Sequence, residues 1–358
     1  MTNLSELQKE IVTTTAQKAL VISSAGSGKT LTLTSRCQYL LDSGVDPAKI
    51  VLITFTTAAA EEMLDRLNQP QGLFVGTIHA YANYLLLSGG TDTSDILNSE
   101  DFDDLFYRVK SRMSCVKPVE HLLLDEGQDS TKLQMEFMLE VVNPQNWMIF
   151  SDHRQSIYRF LGANPEKIIE LSHDPDVTVF HLNENYRNSS TILNFARSII
   201  RKLGPDYYDG SQSQRPQLGQ VLQGIDYSPR AIAKSILERG KESGVYRDWF
   251  VLTRTNEQLE EICRALTVVG VPHSTFKKAE LSNKQLNEKM KENTVKVLTI
   301  HTAKGLEANN VVVVGARFYN PEEICISYVA ATRARDLLVW TKMINKGRAR
   351  KITQNWET

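Results

Sequence analysis

The sequence predicts an α/β protein with two parallel-sheet lobes, each covered by helices. Short apolar runs rich in β-branched residues alternate with helical patterns, and they form two separate series along the chain. The first series occupies residues 19–22, 50–53, 122–124, 147–150 and 177–180. The second begins near residue 220 and continues at 249–252, 295–300, 311–314 and 337–340. We therefore predict a first domain over residues 1–178 and a second over residues 179–358.

The length and composition predict two packed domains and no strong electrostatic field around the protein as a whole. The chain has 358 residues, of which 41% are apolar, and it contains 41 basic and 42 acidic residues. Because the net charge is only -1, a nucleic-acid partner would have to be held in a local groove. No basic stretch leads into an apolar run at the N-terminus, and no apolar run approaches a membrane span. We expect a soluble, cytoplasmic protein that does not bind membranes.

The cysteines favour a reducing compartment and argue against a zinc site. They lie far apart and form no C-x-x-C pair, as the positions show: Cys37, Cys115, Cys263 and Cys325. Each is expected to be unpaired and buried.

The stretch "VISSAGSGKT" at residues 21–30 resembles a phosphate-binding loop, with Ser23 where the full pattern has its first glycine. Gly28, Lys29 and Thr30 supply the close backbone approach, the cation for the phosphates and the hydroxyl for Mg²⁺. An apolar run precedes the loop and a helical pattern follows it. This order of strand, loop and helix directs backbone N–H groups at a phosphate.

One helix of the second lobe has clear start and stop signals in the sequence, whereas two polar stretches show no helix or strand pattern. Thr255 and Gln258 have capping-box spacing, and Gly270 with Pro272 ends the helix. Residues 88–104 and 209–220 are polar and turn-rich, so both are predicted to be surface loops rather than sites.

Polar residues follow two further strands of the first lobe. "DEGQDS" places Asp125 at the carboxyl end of a strand, where it could hold Mg²⁺ opposite Thr30 while Glu126 polarises the attacking water. After residues 147–150, Gln155 is positioned to sense the γ-phosphate. Tyr158 and Phe160 are expected to be exposed beyond that strand, although core positions are the commoner fate of such rings.

Taken in order, these segments resemble the UvrD/Rep branch of superfamily 1 DNA helicases. The resemblance covers nearly the whole chain and implies two RecA-like domains of the P-loop NTPase class, with the nucleotide cleft between them. It implies ATP and Mg²⁺ as cofactors and ATP hydrolysis that drives 3′ to 5′ movement along DNA. The implied partners are single-stranded DNA, single-strand/duplex junctions and a nuclease or other subunit.

The resemblance also implies roles for individual residues. The nucleotide-binding positions are Gln8, Ala25, Gly26, Ser27, Gly28, Lys29, Thr30, Tyr186 and Glu307. The catalytic positions are Lys29, Glu126, Gln155 and the arginine fingers Arg187 and Arg333, while Thr30 and Asp125 serve the metal. The positions implied to contact DNA are Phe55, Thr57, His79, Tyr158, Phe160, Arg254, His301 and Lys304.

Several positions depart from the family pattern. Thr57 and Ala58 stand where Asn-Lys is common, Leu161 replaces an Arg, and Ala308 replaces a Phe. The stretches from His79 to Asp125 and from Arg187 to His301 leave little room for the accessory subdomains that family members insert there.

Two other functions remain open from the sequence. One is a DNA-stimulated ATPase switch that recruits a partner and unwinds little DNA. The other is a small-molecule kinase that uses the same phosphate loop. DNA-stimulated hydrolysis without strand separation would favour the switch, and hydrolysis indifferent to oligonucleotides would favour the kinase.

Overall fold

The computed structural model describes residues 4–99, 101–226, 228–277, 281–316 and 318–342. The chain divides into two units, the first ending at Glu184 and the second beginning at Asn185. The predicted boundary after residue 178 lies shortly before this division, at the start of a strand that belongs to the first sheet.

A six-stranded parallel sheet forms the centre of the first unit. Its strands are β1 (Lys18–Ser23), β2 (Ile50–Ile53), β3 (Phe74–Gly76), β4 (His121–Leu124), β5 (Asn146–Ser151) and β6 (Thr178–Leu182). They are arranged in the order β3-β2-β4-β5-β1-β6, and every neighbouring pair is parallel. The five strands predicted from apolar runs are confirmed. The short strand β3, at the edge of the sheet, was not predicted.

Helices cover this sheet, and the strand residues alternate between two apolar cores. The helices are α1 (Glu6–Thr13), α2 (Lys29–Asp42), α3 (Thr57–Arg66), α4 (Ile78–Ser88), α5 (Ser94–Ser99), α6 (Asp104–Ser111), α7 (Lys132–Glu136) and α8 (Pro165–Ser172). Leu20 of β1 packs into one core, whereas its neighbours Ala19 and Val21 pack into the other. This period of two is the pattern of a strand buried on both faces.

Residues 88–104 lie mostly at the surface, as predicted, but the segment is not a loop throughout. The segment contains α5, in which Ile96 is buried, and Thr93 just before this helix is buried as well. The Thr93 hydroxyl donates a hydrogen bond to Asn83 Oδ1 of α4, which attaches the start of α5 to that helix.

The second unit contains another six-stranded parallel sheet. A short strand, β7 (Glu184–Asn185), spans the division. The strands that follow are β8 (Gln212–Ser213), β9 (Gln220–Asp226), β10 (Trp249–Thr253), β11 (His273–Ser274), β12 (Val295–Thr299), β13 (Ala308–Val314) and β14 (Ala334–Lys342). The sheet order is β11-β12-β10-β13-β14-β9, with all neighbours parallel. Both sheets confirm the predicted α/β class.

Five helices belong to the described part of this unit. They are α9 (Ser190–Ile200), α10 (Pro229–Ser243), α11 (Asn256–Val269), α12 (Asn283–Lys291) and α13 (Pro321–Ala331). The capping box of α11 is confirmed, since the Thr255 side chain accepts from Gln258 N and the Gln258 side chain accepts from Thr255 N. Gly270 ends that helix in the left-handed conformation. Within the described ranges, no helix has the length and apolarity needed to cross a membrane.

The prediction of a surface loop over residues 209–220 is wrong at the start of that segment. Asp209 and Ser211 are buried, and Asp209 Oδ2 accepts a hydrogen bond from the Tyr328 hydroxyl at 2.8 Å. Tyr328 lies in the core on α13, so its hydroxyl requires an acceptor inside the protein. Asp209 is therefore part of the packed unit.

Candidate nucleotide-binding site

The segment after β1 forms a tight loop that leads into α2. Gly26 and Gly28 both have positive φ, at 67° and 78°, and Gly28 is the N-cap of α2. Ser23, which replaces the usual first glycine, is buried, and its hydroxyl donates to Ser151 O of β5 at 3.2 Å. The serine therefore joins two strands beside the loop, a contact that glycine could not make.

Gln8 of α1 packs against this loop. Its Nε2 donates to Ser27 O at 3.2 Å, and its Oε1 accepts from Ser5 N at 3.0 Å. The structure thus places Gln8 next to the glycine loop, and both were predicted to bind the nucleotide. Its contact with adenine remains a prediction.

The left-handed backbone conformation of residue 28 favours glycine, and Gln8 lies close beside it. A Cβ at this position would lie 2.8 Å from Gln8 Nε2, so the end of the Gln8 side chain would have to move and give up its hydrogen bond to Ser27 O. A Gly28→Ala substitution is expected to lower the free energy of unfolding in urea by more than Gly44→Ala. Gly44 has a φ of 88° but no atom within 4 Å of the added Cβ, so it reports the conformational cost alone, about 1–2 kcal/mol. Equal losses in the two variants would contradict the contact.

Lys29 forms an ion cluster with the two acidic residues that follow β4. Its Nζ lies 2.5 Å from Glu126 Oε1 and 3.4 Å from Asp125 Oδ1. Burial lowers the pKa of Lys29, but the two carboxylates outweigh burial and raise that pKa above its ordinary value. Burial also raises the pKa of Asp125, against the opposing effect of Lys29. Lys29 is thus held as a cation that already binds anionic oxygens.

Glu126 is held by its backbone conformation and by a glutamine. Its φ of 54° lies in the left-handed region, which is uncommon for a non-glycine residue and concentrates at functional sites. Gln128 Nε2 donates a short hydrogen bond to Glu126 Oε2. Gln128 Oε1 accepts from Ser151 Oγ at 3.0 Å and from Asp152 N at 2.9 Å. Gln128 was not predicted from the sequence, although its place two residues after Glu126 was a signal.

A buried polar group at the end of β5 orients Gln155. Asp152 Oδ2 accepts from Gln155 Nε2 at 2.6 Å, and Asp152 Oδ1 accepts from Arg154 Nε at 2.6 Å. Arg154 also donates to Ser23 O at 3.2 Å. The side chain of Gln155 is therefore fixed by a network that reaches the strand before the phosphate loop, and sequence reasoning did not identify Asp152 or Arg154.

The aromatic residues implied to contact DNA form a group beside these carboxylates. The rings of Phe55 and Tyr158 stack at 5.2 Å with an interplanar angle of 17°, and Phe160 lies 6.2 Å from Tyr158. Phe160 is 64% exposed, as predicted, but Tyr158 is half-buried because it packs on Phe55. Burial and the nearby carboxylates of Asp129 and Glu126 raise the pKa of the Tyr158 hydroxyl.

Two other residues of the first unit implied to contact DNA lie at helix starts. Thr57 is the first residue of α3, after the N-cap Thr56. His79 lies in the first turn of α4, with Nε2 3.3 Å from Asp103 Oδ1 and its ring 4.9 Å from that of Phe106. These packing contacts are compatible with a structural role, and contact with DNA remains a prediction.

In the second unit, Glu307 pairs with two arginines. Arg187 Nε donates to Glu307 Oε2 at 2.5 Å, and Arg335 donates to Glu307 Oε1 at 2.6 Å. Burial raises the pKa of Glu307, but the two arginines outweigh it and lower that pKa. Tyr186, next to Arg187, is 45% exposed. The structure thus joins three residues that the sequence placed near nucleotide, and adds Arg335.

Arg333 is bound by groups of its own unit. Its Nε donates to Val329 O at 3.0 Å, and its other nitrogens donate to Leu306 O and to Thr332 Oγ1. This arrangement ties the end of α13 to the residue before Glu307. The role of Arg333 as an arginine finger remains a prediction.

The remaining second-unit residues implied to contact DNA have mixed surroundings. Arg254 forms a bidentate pair with Glu323, in which a terminal nitrogen donates to Oε1 at 2.8 Å and Nε donates to Oε2 at 3.1 Å. His301 and Lys304 follow the carboxyl end of β12, and Lys304 is almost buried. The pairing of Arg254 is that of a structural arginine, so its contact with DNA also remains a prediction.

Strand, glycine loop and helix, with an acidic pair at the carboxyl end of β4, define a P-loop nucleotide-binding protein with two parallel-sheet RecA-like domains. The family model of the UvrD/REP helicase N-terminal domain matches residues 4–104 and 91–176. That of the UvrD-like helicase C-terminal domain matches residues 275–345. Together they cover more than half of the chain, which belongs to the UvrD-like family of superfamily 1 helicases.

Three curated relatives illustrate the similarity. ATP-dependent DNA helicase PcrA of Staphylococcus epidermidis is 24% identical over 76% of this chain and 50% of its own length. DNA helicase II of Haemophilus influenzae is 25% identical over 76% of this chain and 51% of its own. ATP-dependent DNA helicase Rep of Buchnera aphidicola is 29% identical over 63% of this chain and 36% of its own. The chain thus spans about half the length, or less, of these relatives.

Proposed function

We propose that this protein hydrolyses ATP with Mg²⁺ to move along single-stranded DNA, in the 3′ to 5′ direction, and to unwind it. The observation that carries the proposal is the cluster of Lys29, Asp125 and Glu126 at the end of the glycine loop. Membership of the UvrD-like family and the names of the relatives agree with it.

The geometry of the cluster supports a division of labour during hydrolysis. Phosphate oxygens would replace the carboxylates as partners of Lys29, because a cation on a glycine loop suits the β- and γ-phosphates. Glu126 would then lose its ion pair and keep its bond from Gln128. A carboxylate so released can accept a proton from the attacking water.

The donor set also suits a magnesium ion. Asp125 offers a carboxylate and Thr30 a hydroxyl, and both are hard oxygen ligands. In the structure the Asp125 carboxylate already lies beside a cation, Lys29. These two residues would hold the ion, which neutralises charge on the phosphates when bound. Gln155 would sense the γ-phosphate, and Arg187 and Arg333 of the second unit would stabilise the charge of the transition state.

The aromatic group of Phe55, Tyr158 and Phe160 would hold DNA bases. Phe160→Ala is expected to weaken binding of oligo-dT by about 1–3 kcal/mol, because a base loses its stacking partner. Leu161→Ala is the matched control, since Leu161 is 61% exposed and presents no π-face. Fluorescence anisotropy of a labelled oligonucleotide measures both. Unchanged affinity in Phe160→Ala would remove that ring from the DNA site.

The proposal is tested by ATPase rate with and without single-stranded DNA, followed by strand displacement on duplexes with a 3′ or a 5′ tail. We expect DNA to stimulate hydrolysis and only the 3′-tailed duplex to be separated. Hydrolysis indifferent to oligonucleotides would contradict the proposal and favour a small-molecule kinase.

A second candidate is the DNA-stimulated switch that recruits a partner, such as a nuclease, and unwinds little. The short stretches between His79 and Asp125 and between Arg187 and His301 favour it, because helicases of this family insert accessory subdomains there. Stimulated hydrolysis without separation of either duplex would select the switch.

A further inference from the structure

A pocket of about 410 Å³ lies in the second unit, at the C-terminal end of α9. Its lining includes Arg197, Arg201, Tyr207 and Tyr208, and all of its lining residues belong to one continuous stretch of the chain. We call this the α9 pocket. A volume of this size is within the ordinary range for small-molecule sites, so it can hold one nucleotide.

One wall of the α9 pocket is the polar face of the helix. α9 buries Ile192, Leu193, Ala196, Ile199 and Ile200 on its other side. Asn194, Arg197 and Arg201 follow one another at helical spacings of three and four, so they share the face opposite to that core. Arg197 of α9 and Arg201, in the turn that follows α9, therefore both line this wall.

The other wall is a reversal of the chain that carries two tyrosines. Gly204 has a φ of 103° and a ψ of -176°, a conformation essentially reserved for glycine, and Pro205 follows it. Tyr207 is buried and anchors the reversal, whereas Tyr208 is 76% exposed. The Tyr208 ring packs beside Gly210, where an added Cβ would lie 3.1 Å from Cε1. Tyr208 is thus positioned without being covered.

Asp209 also lines the pocket, but both of its carboxylate oxygens accept hydrogen bonds from groups of the same unit. Asp209 Oδ1 accepts from Ser211 N at 3.0 Å and Asp209 Oδ2 accepts from the Tyr328 hydroxyl at 2.8 Å. These bonds point the carboxylate into the unit and fix the second wall.

Arg197 still has an unused donor. One terminal nitrogen donates to Asn194 Oδ1 at 3.1 Å, but Nε is buried and has no hydrogen-bond acceptor among the described residues. A buried donor of this kind is normally satisfied by a water or a bound ligand when the protein supplies no acceptor. Planar guanidinium groups bind phosphate oxygens through paired hydrogen bonds.

We propose that the α9 pocket binds a nucleotide, with the base stacked on Tyr208 and the phosphate held by Arg197 and Arg201. The combination of an exposed ring and two arginines favours this ligand over an acidic peptide, which offers carboxylates but no base to stack. The nucleotide could be a unit of a single strand or a free mononucleotide, and both have the same chemistry.

Photocrosslinking tests the proposal on the full chain. An oligo-dT that carries 5-iodouracil is irradiated with the protein in the absence of ATP, and the modified residue is identified by peptide mass spectrometry. We expect an adduct at Tyr208. The yield should fall about five- to a hundredfold in Tyr208→Ala and in Arg197→Ala/Arg201→Ala, as the loss of a stacking or phosphate contact implies. Arg230→Ala, which removes an exposed arginine of the same unit, should leave the yield unchanged.

Competition distinguishes the two sources of the nucleotide. If an excess of dTMP abolishes the Tyr208 adduct, the pocket binds a free nucleotide; if the adduct persists, it binds a strand. Absence of any adduct within residues 194–209, or protection by polyglutamate but not by dTMP, would overturn the proposal. A Lys29→Ala chain should still form the adduct, so failure of the ATPase proposal would be seen separately.

Discussion

Replacing Lys29 with alanine is expected to abolish ATP hydrolysis. The substitution removes a cation whose Nζ lies 3.4 Å from Asp125 Oδ1 and 2.5 Å from Glu126 Oε1. Loss of a single positioned donor to a transferring phosphoryl group costs about 10²–10³-fold in kcat. Because the same cation would hold the triphosphate in the ground state, nucleotide affinity should fall as well.

The ion cluster gives this variant a second readout. Without Lys29, burial of Asp125 loses its largest opposing influence and only the hydrogen bond from Glu126 N still lowers the pKa, so the pKa of Asp125 should rise further above the ordinary value. A raised pKa in the folded state means that the folded protein binds the proton more tightly than the unfolded chain. The free energy of unfolding of Lys29→Ala should therefore increase as the pH is lowered from neutral toward the ordinary range of aspartate, relative to the unsubstituted protein.

Phosphate-release kinetics and urea unfolding at several pH values measure these effects. Lys132→Ala is a suitable control, because Lys132 is 79% exposed and pairs only across one helical turn with Glu136. A Lys29→Ala protein that hydrolyses ATP at the rate of this control would remove Lys29 from the site.

Local patterns predicted the parts of the fold that depend on local chemistry. The central strands are short continuous apolar runs, and such runs are typical of strands buried on both faces. The capping box of α11 is likewise complete within four residues. In contrast, β3 has only three residues and β11 only two, too few to show any period. Their strand conformation comes from pairing with β2 and β12.

Polar partners were harder to predict because they depend on residues distant in sequence. Lys29 and Glu126 were found as members of motifs, but Gln128 becomes significant only when Ser151 and the backbone of Asp152 lie beside it. Arg335 is a similar case, because only its ion pair with Glu307, which the fold brings together, shows that it belongs to the site. Sequence spacing indicates which groups are available, whereas the fold selects their partners.

In segments 88–104 and 209–220, polar composition alone did not identify the residues that are buried. Their polar composition predicted exposed loops, but Thr93 and Asp209 are buried because each finds a hydrogen-bond partner in the packed unit. A polar residue is excluded from the interior only when it would be left without such a partner.

Substitution of Glu126 by glutamine is expected to separate binding from chemistry. The amide keeps the size of the side chain and can still accept the hydrogen bond from Gln128, but it cannot take a proton from water. General-base catalysis contributes about 10²–10⁴-fold, so kcat should fall by about that factor. The Lys29 cation remains available for phosphates, and losing one competing carboxylate should leave nucleotide affinity unchanged or improved.

Equilibrium binding of a fluorescent ATP analogue and single-turnover hydrolysis distinguish these effects. Glu140→Gln serves as the control because Glu140 is an exposed carboxylate of the same unit. If Glu126→Gln retains full hydrolysis, the base must be another group. If it loses nucleotide binding together with hydrolysis, Glu126 serves the architecture of the loop instead of the water, and the strained backbone at φ 54° would then be explained by that architecture.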